Sequence, residues 1–157
     1  MKMTRNARPK IDKTLVADVR AAIDVCAVSN ARLAARRLTQ FLTDRMKASD
    51  LGVAQFALMS RIAAASDDSL GSLAQRTGLD PSTLSRNLQV LEREGLVEMA
   101  SGETDSRRRA VWLAEEGVRR LEAAFEDWRK AQAELAALID VDAVRRFAKA
   151  TERLTQD

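Results

Sequence analysis

The feature that most constrains this chain is the run Gly78-Leu79-Asp80-Pro81, which separates two short amphipathic stretches with a turn only two residues long. Aspartate accepts the orphan amides at a helix N-cap, and proline is pre-organised for the first helical position, so a helix begins at Pro81. The stretch before it starts at Ser69, a second capping residue, and runs to about Thr77 with Leu70, Leu73 and Ala74 turned inward. Gly78 sits where a helix C-terminus favours glycine. The Pro81 helix continues to Glu94 and stops at Gly95. Two short apolar runs follow, Leu96-Val97-Glu98-Met99 and Ala110-Val111-Trp112-Leu113, joined by a charged loop, and these predict a β-ribbon. Two helices on a tight turn followed by a two-stranded ribbon make a winged helix-turn-helix.

The second of those helices carries the chemistry. At 100° per residue, Leu84, Leu88 and Leu91 share one stripe, which leaves Ser82, Ser85, Arg86, Gln89 and Arg93 on the opposite face, with Thr83 in the first turn. Small hydroxyl side chains let a helix sit deep in a major groove. Arginine and glutamine pair with guanine and adenine edges, and the helix dipole is expected to favour nearby phosphate. The competing reading is an ordinary solvated face. The ribbon loop, residues 101–109, adds three consecutive arginines, of which Arg107 and Arg108 are candidates for a narrow minor groove. Such a run is also compatible with a merely soluble turn.

The rest of the chain reads as helical support. Residues 1–12 hold Lys2, Arg5, Arg8 and Lys10 with little apolar content and read as a flexible basic arm. Leu15, Val19, Ile23, Cys26, Leu33, Leu38, Phe41 and Met46 then recur at helical spacing with no Gly or Pro before Gly52, which predicts one long helix over 13–47. A further helix is expected at about Val53–Ala65. Helical period returns from Glu115 through Val118, Leu121, Phe125, Trp128, Leu135 and Leu138, and after a break at Asp140 a last helix carries Val144, Phe147 and Leu154. The expected organisation is therefore the basic arm over 1–12, a dimerisation helix over 13–47, a winged helix-turn-helix over 53–113 and dimerisation helices over 114–157. The fold class is mainly α with a small β-ribbon. Such long amphipathic segments have more apolar face than one chain can cover, so a homodimer is expected, and with it a pseudo-palindromic operator in double-stranded DNA.

Composition excludes more than it suggests. At 157 residues there is room for one packed body with appended helices. No apolar run is long enough for a bilayer and the basic leader has no apolar core, so no membrane partner is expected and the reading is cytoplasmic. The chain has no histidine and a single cysteine, Cys26, so the commonest general base, the commonest metal ligand and an internal disulfide are all missing. No catalytic residue, metal or cofactor is expected, and the chain does not read as an enzyme. The net charge of +3 is unevenly spread: residues 1–47 hold 11 Lys/Arg against 4 Asp/Glu, whereas residues 48–117 hold 7 against 11. The middle segment would have to bind DNA through a few well-placed arginines. That balance keeps a rival reading open, a winged protein-interaction module without DNA binding.

The segments Leu73-Ala74-Gln75-Arg76-Thr77-Gly78-Leu79-Asp80-Pro81-Ser82-Thr83-Leu84-Ser85-Arg86, Leu91-Glu92-Arg93-Glu94-Gly95-Leu96-Val97, Asp105-Ser106-Arg107 and Leu113-Ala114-Glu115-Glu116-Gly117 together resemble the multiple-antibiotic-resistance (MarR) regulators. Weaker similarity covers residues 20–155. The resemblance implies a two-fold dimer with a helical layer built from both termini, usually a repressor, often released by a small aromatic or phenolic ligand. It implies that Arg107 enters the minor groove and that Asp105 helps to position it. Ala114 departs from the family's more usual threonine, which should weaken the following helix start by about 1 kcal/mol. Cys26 lies about two residues from the place where the peroxide-sensing branch keeps its reactive thiol. A redox-sensing repressor is therefore weighed against a small structural hydrophobe, the expected role here. Trp112 and Trp128 read as packing residues or as walls of a ligand crevice.

Overall fold

The computed structural model describes residues 10–65, 69–101 and 109–155. The chain divides into two compact units, Met1–Gln40 and Phe41–Asp157. The first holds α1 (Lys13–Val25) and most of α2 (Ala27–Arg45), which continues into the second. α1 starts at Asp12, whose carboxylate accepts from the Thr14 amide at 3.4 Å. The single helix expected over 13–47 is instead two. Cys26 adopts an extended conformation, φ −69° and ψ 101°, and separates them. Side chains replace the absent Gly or Pro: the Asn30 amide donates to the Asp24 carbonyl at 2.9 Å, and the Asn30 N–H donates to the Cys26 carbonyl at 3.0 Å. The thiol meets the amides and hydroxyl at the start of α2. Local side-chain bonds of this kind compete with helix continuation.

The second unit contains the end of α2, then α3 (Val53–Ala63), α4 (Leu70–Thr77), α5 (Pro81–Arg93), strands β1 (Val97–Ser101) and β2 (Arg109–Leu113), α6 (Glu115–Leu138), α7 (Val141–Ala150) and a 3-10 turn, Thr151–Thr155. β1 and β2 are antiparallel, with Val97 opposite Leu113 and Met99 opposite Val111, and Ser69 bridges to Ala110 on the outer side of β2. α3 packs against α4, α6 and β2. Met59 on α3 is fully enclosed, and Leu73, Leu88, Leu91 and Leu96 are as nearly so. Phe56, Phe125 and Trp128 close the core towards α6: the Phe56 and Phe125 rings meet edge to face at 5.0 Å, and Trp128 stacks on Phe56 at 5.9 Å. That assigns Trp128 to packing. This is a winged helix, mainly α with a two-stranded sheet.

Among the described residues only Gly78 and Gly95 have positive φ, 63° and 70°. Both end helices. After α5 the Leu96 N–H donates to the Leu91 carbonyl and the Gly95 N–H to the Glu92 carbonyl, each at 2.9 Å, which is the left-handed cap that only glycine enters without strain. That reversal turns the chain straight into β1.

Candidate nucleic-acid interface

α5 is held by its apolar stripe. Leu84, Leu88 and Leu91 are buried, whereas Ser82, Ser85, Arg86, Gln89 and Arg93 are exposed and Thr83 is half-buried on the flank. All six candidates on α5 are thus brought to one end or one face of a single helix. Among the described residues nothing pairs with the Arg86 guanidinium, while Arg93 is laid along the helix by Nε donating to the Gln89 carbonyl at 3.3 Å. Asp105, Arg107 and Arg108 lie outside the described residues. The strands on either side of that stretch, β1 and β2, are described, and Trp112 pins the ribbon across its outer face, with Nε1 donating to Glu98 Oε2 at 3.0 Å.

The first turn of α5 is capped by Asp80, as the Asp80-Pro81 pair leads one to expect. Asp80 Oδ1 accepts from the Ser82 and Thr83 amides at 3.1 and 3.0 Å. The Ser82 hydroxyl reaches Oδ1 and the Thr83 hydroxyl reaches Oδ2, both at 2.6 Å. These donors, the Ser82 and Thr83 hydroxyls foremost, hold the Asp80 carboxyl well below the usual carboxylate range. The helix end expected to favour phosphate is already filled by a carboxylate. Two side chains outside the expected set complete the surroundings. Asn87 is exposed on the flank of α5 beside Ala54 and Gln55, and Gln55 ties α3 to the end of α5 by donating to Glu94 Oε2 at 2.8 Å. Asn87 stands roughly 140° from the centre of the polar face, which is why periodicity left it out.

The sequence profile of the MarR family matches residues 49–108, the span from the turn before α3 into the ribbon loop. The chain is 34% identical to the transcriptional regulator MosR of M. tuberculosis, solved in complex with DNA, covering 83% of this chain and 98% of that one with a TM-score of 0.73. The chain belongs to the MarR family. It is a DNA-binding transcription regulator, and α5 is the second helix of its helix-turn-helix. The fold is shared more widely. S. aureus MepR, solved with DNA, superposes with a TM-score of 0.66 at 19% identity over 83% of this chain and 98% of its own. A variant of E. coli MarR solved with operator DNA gives 0.70 at 19% over 85% and 97%. Among curated proteins none matches the chain. No described helix of this MarR-family chain is long and apolar enough to cross a membrane.

Proposed function

We propose that the chain is a dimeric repressor that reads a pseudo-palindromic site in duplex DNA with α5 and its ribbon, and that a small aromatic or phenolic ligand releases it. The observation that carries the DNA reading is the α5 face itself. Ser85, Arg86, Gln89 and Arg93 project together from a helix whose opposite side is locked into the core, and these are the side-chain types that hydrogen-bond base edges. MosR, the 34% identical relative, was solved with DNA. Dimerisation is supported by apolar side chains left open at both ends of the chain, Leu15, Val19 and Ile23 on α1 and Val144 and Phe147 on α7. The ligand rests on the family: PcaV of Streptomyces coelicolor, 21% identical, was solved with its natural ligand. Footprinting on genomic DNA, followed by affinity measured against salt, tests the reading. A protected inverted repeat and a steep negative salt slope are expected. A flat slope would select the protein-interaction module instead.

A second reading is favoured by one observation. Cys26 is half-buried at the head of α2, and its thiol is held below its ordinary pKa by the Ser29 hydroxyl and amide and the Val28 amide. A lowered thiol pKa supports a reactive cysteine over the small structural hydrophobe expected there. If peroxide frees the wild type from DNA and spares Cys26→Ser, the regulator senses oxidation. Release of both, or of neither, leaves the ligand-released repressor.

A further inference from the structure

The proposal rests on α5 as the reading helix and concerns what its first turn can accept as a partner. Asp80 is the centre of that turn. The backbone donors of the first turn of α5 itself are already accounted for. Pro81 has no N–H, the Ser82 and Thr83 amides donate to Asp80 Oδ1, and the Leu84 amide donates to the Asp80 carbonyl at 3.0 Å. The two hydroxyls are committed as well. An ionised carboxylate has no proton to give, so in each 2.6 Å contact the proton must come from the hydroxyl. A serine or threonine hydroxyl has one proton and two lone pairs, and once the proton is engaged its outward side can only accept.

We infer that Asp80 makes the N-terminal end of the recognition helix an acceptor-only surface, so that Ser82 selects a base presenting an exocyclic amine. In the major groove that means adenine through N6 or cytosine through N4. Guanine and thymine, which offer N7, O6 or O4 at the same place, set lone pair against lone pair. Asp80 Oδ2, with one donor from Thr83 and an open lone pair, adds to the rejection and disfavours a phosphate at this end. Base readout here is thereby divided: acceptors at the first turn of α5, donors further along at Arg86 and Arg93. Asp80 is a positioning residue, because it acts by turning the Ser82 hydroxyl rather than by touching a base.

The experiment is selection from a randomised duplex library with the full-length wild type, Ser82→Ala, Asp80→Gly and Arg86→Ala, with thermal melts as a folding control. The base pair at which Ser82→Ala flattens selectivity is the one Ser82 reads. Every base pair carries an amine on one strand and a keto oxygen on the other, so that pair is then remade without its amine, purine replacing adenine or 2-pyrimidinone replacing cytosine. The wild type should bind the amine-free site about tenfold more weakly, and Ser82→Ala should not tell the two sites apart. Asp80→Gly keeps most of the N-cap preference and should stay folded. With no carboxylate to donate to, its Ser82 hydroxyl can donate or accept, so the loss on removing the amine should fall to within about twofold. A merely structural Asp80 would change affinity on both sites alike and leave this loss intact. The inference is overturned if Ser82→Ala flattens no position, if the wild type binds the amine-free site as tightly as the native one, or if Asp80→Gly keeps the wild-type loss. A wild type that selects no sequence overturns both this and the reading of α5. Loss of selectivity in Arg86→Ala alone keeps the latter and removes the former.

Discussion

The carbonyl of Leu96 lies directly against the α-carbon of Gly117. A methyl group on Gly117 would overlap the Leu96 carbonyl oxygen and stand only 2.9 Å from its carbonyl carbon. That carbonyl also accepts from the Ala114 amide at 3.1 Å, so it cannot move aside without losing the bond that starts α6 beside β1. Gly117→Ala should therefore destabilise the fold by about 1–3 kcal/mol, and Gly117→Val by more. Gly71, with open space around it, is the control: Gly71→Ala should be neutral or stabilise by up to about 1 kcal/mol. Urea midpoints at a common m-value decide the matter, and equal effects at the two glycines would refute the close contact.

Asp80 couples the start of α5 to acid. Its folded pKa lies below its unfolded value of about 3.9. The stabilisation it provides is therefore complete above that value and is lost as pH falls through the folded pKa. Melting curves of the wild type and Asp80→Ala should be well separated at neutral pH and should converge below about pH 4. A separation that persists undiminished at pH 2 would mean that the carboxylate charge is not what caps the helix.

Arg86 and Arg107 are expected to fail differently. Replacing Arg86, which stands free on the exposed face of α5 among the described residues, should cost about 1–3 kcal/mol on the cognate site and relax preference at particular base pairs. Replacing Arg107 should weaken binding while changing preference only through A·T content outside the major-groove half-sites. Neither change should lower the melting temperature. Affinities on the footprinted site, on single-base variants and on random duplex separate the two. Both alanine variants binding like wild type would remove α5 and the ribbon as readers.

The open apolar faces predict assembly. Phe147 is 52% exposed and Val19 46% exposed, values that a soluble chain keeps at such positions when a partner covers them. The wild type should sediment as a dimer at micromolar concentration. Phe147→Asp should shift it towards monomer and weaken operator binding together, since a two-fold site needs both readers. A monomeric wild type would end this prediction outright.

Much of the winged region was legible because its signals are local. Gly78, Asp80-Pro81 and Gly95 each set a cap from residues within one turn, and the Leu84, Leu88 and Leu91 stripe needs only helical period to show which face of α5 stays outside. The fold class and the exposed face of α5 followed from these. The break at Cys26 was not legible in the same way. No helix breaker stands there, and a cap assembled from Ser29, Asn30 and Asp24 uses residues that also occur inside helices.

The sequence by itself thus determined where α4 and α5 begin and end and which side chains of α5 stay exposed, since capping and amphipathic period act between near neighbours in the chain. Only the tertiary structure decided that Gly117 is a contact glycine under Leu96, that Trp128 belongs to the Phe56 core and that Trp112 is tied to Glu98. Each of these depends on two segments meeting in space. The free energy of such a meeting comes from close packing or a hydrogen bond between them, and neither partner's sequence encodes it alone.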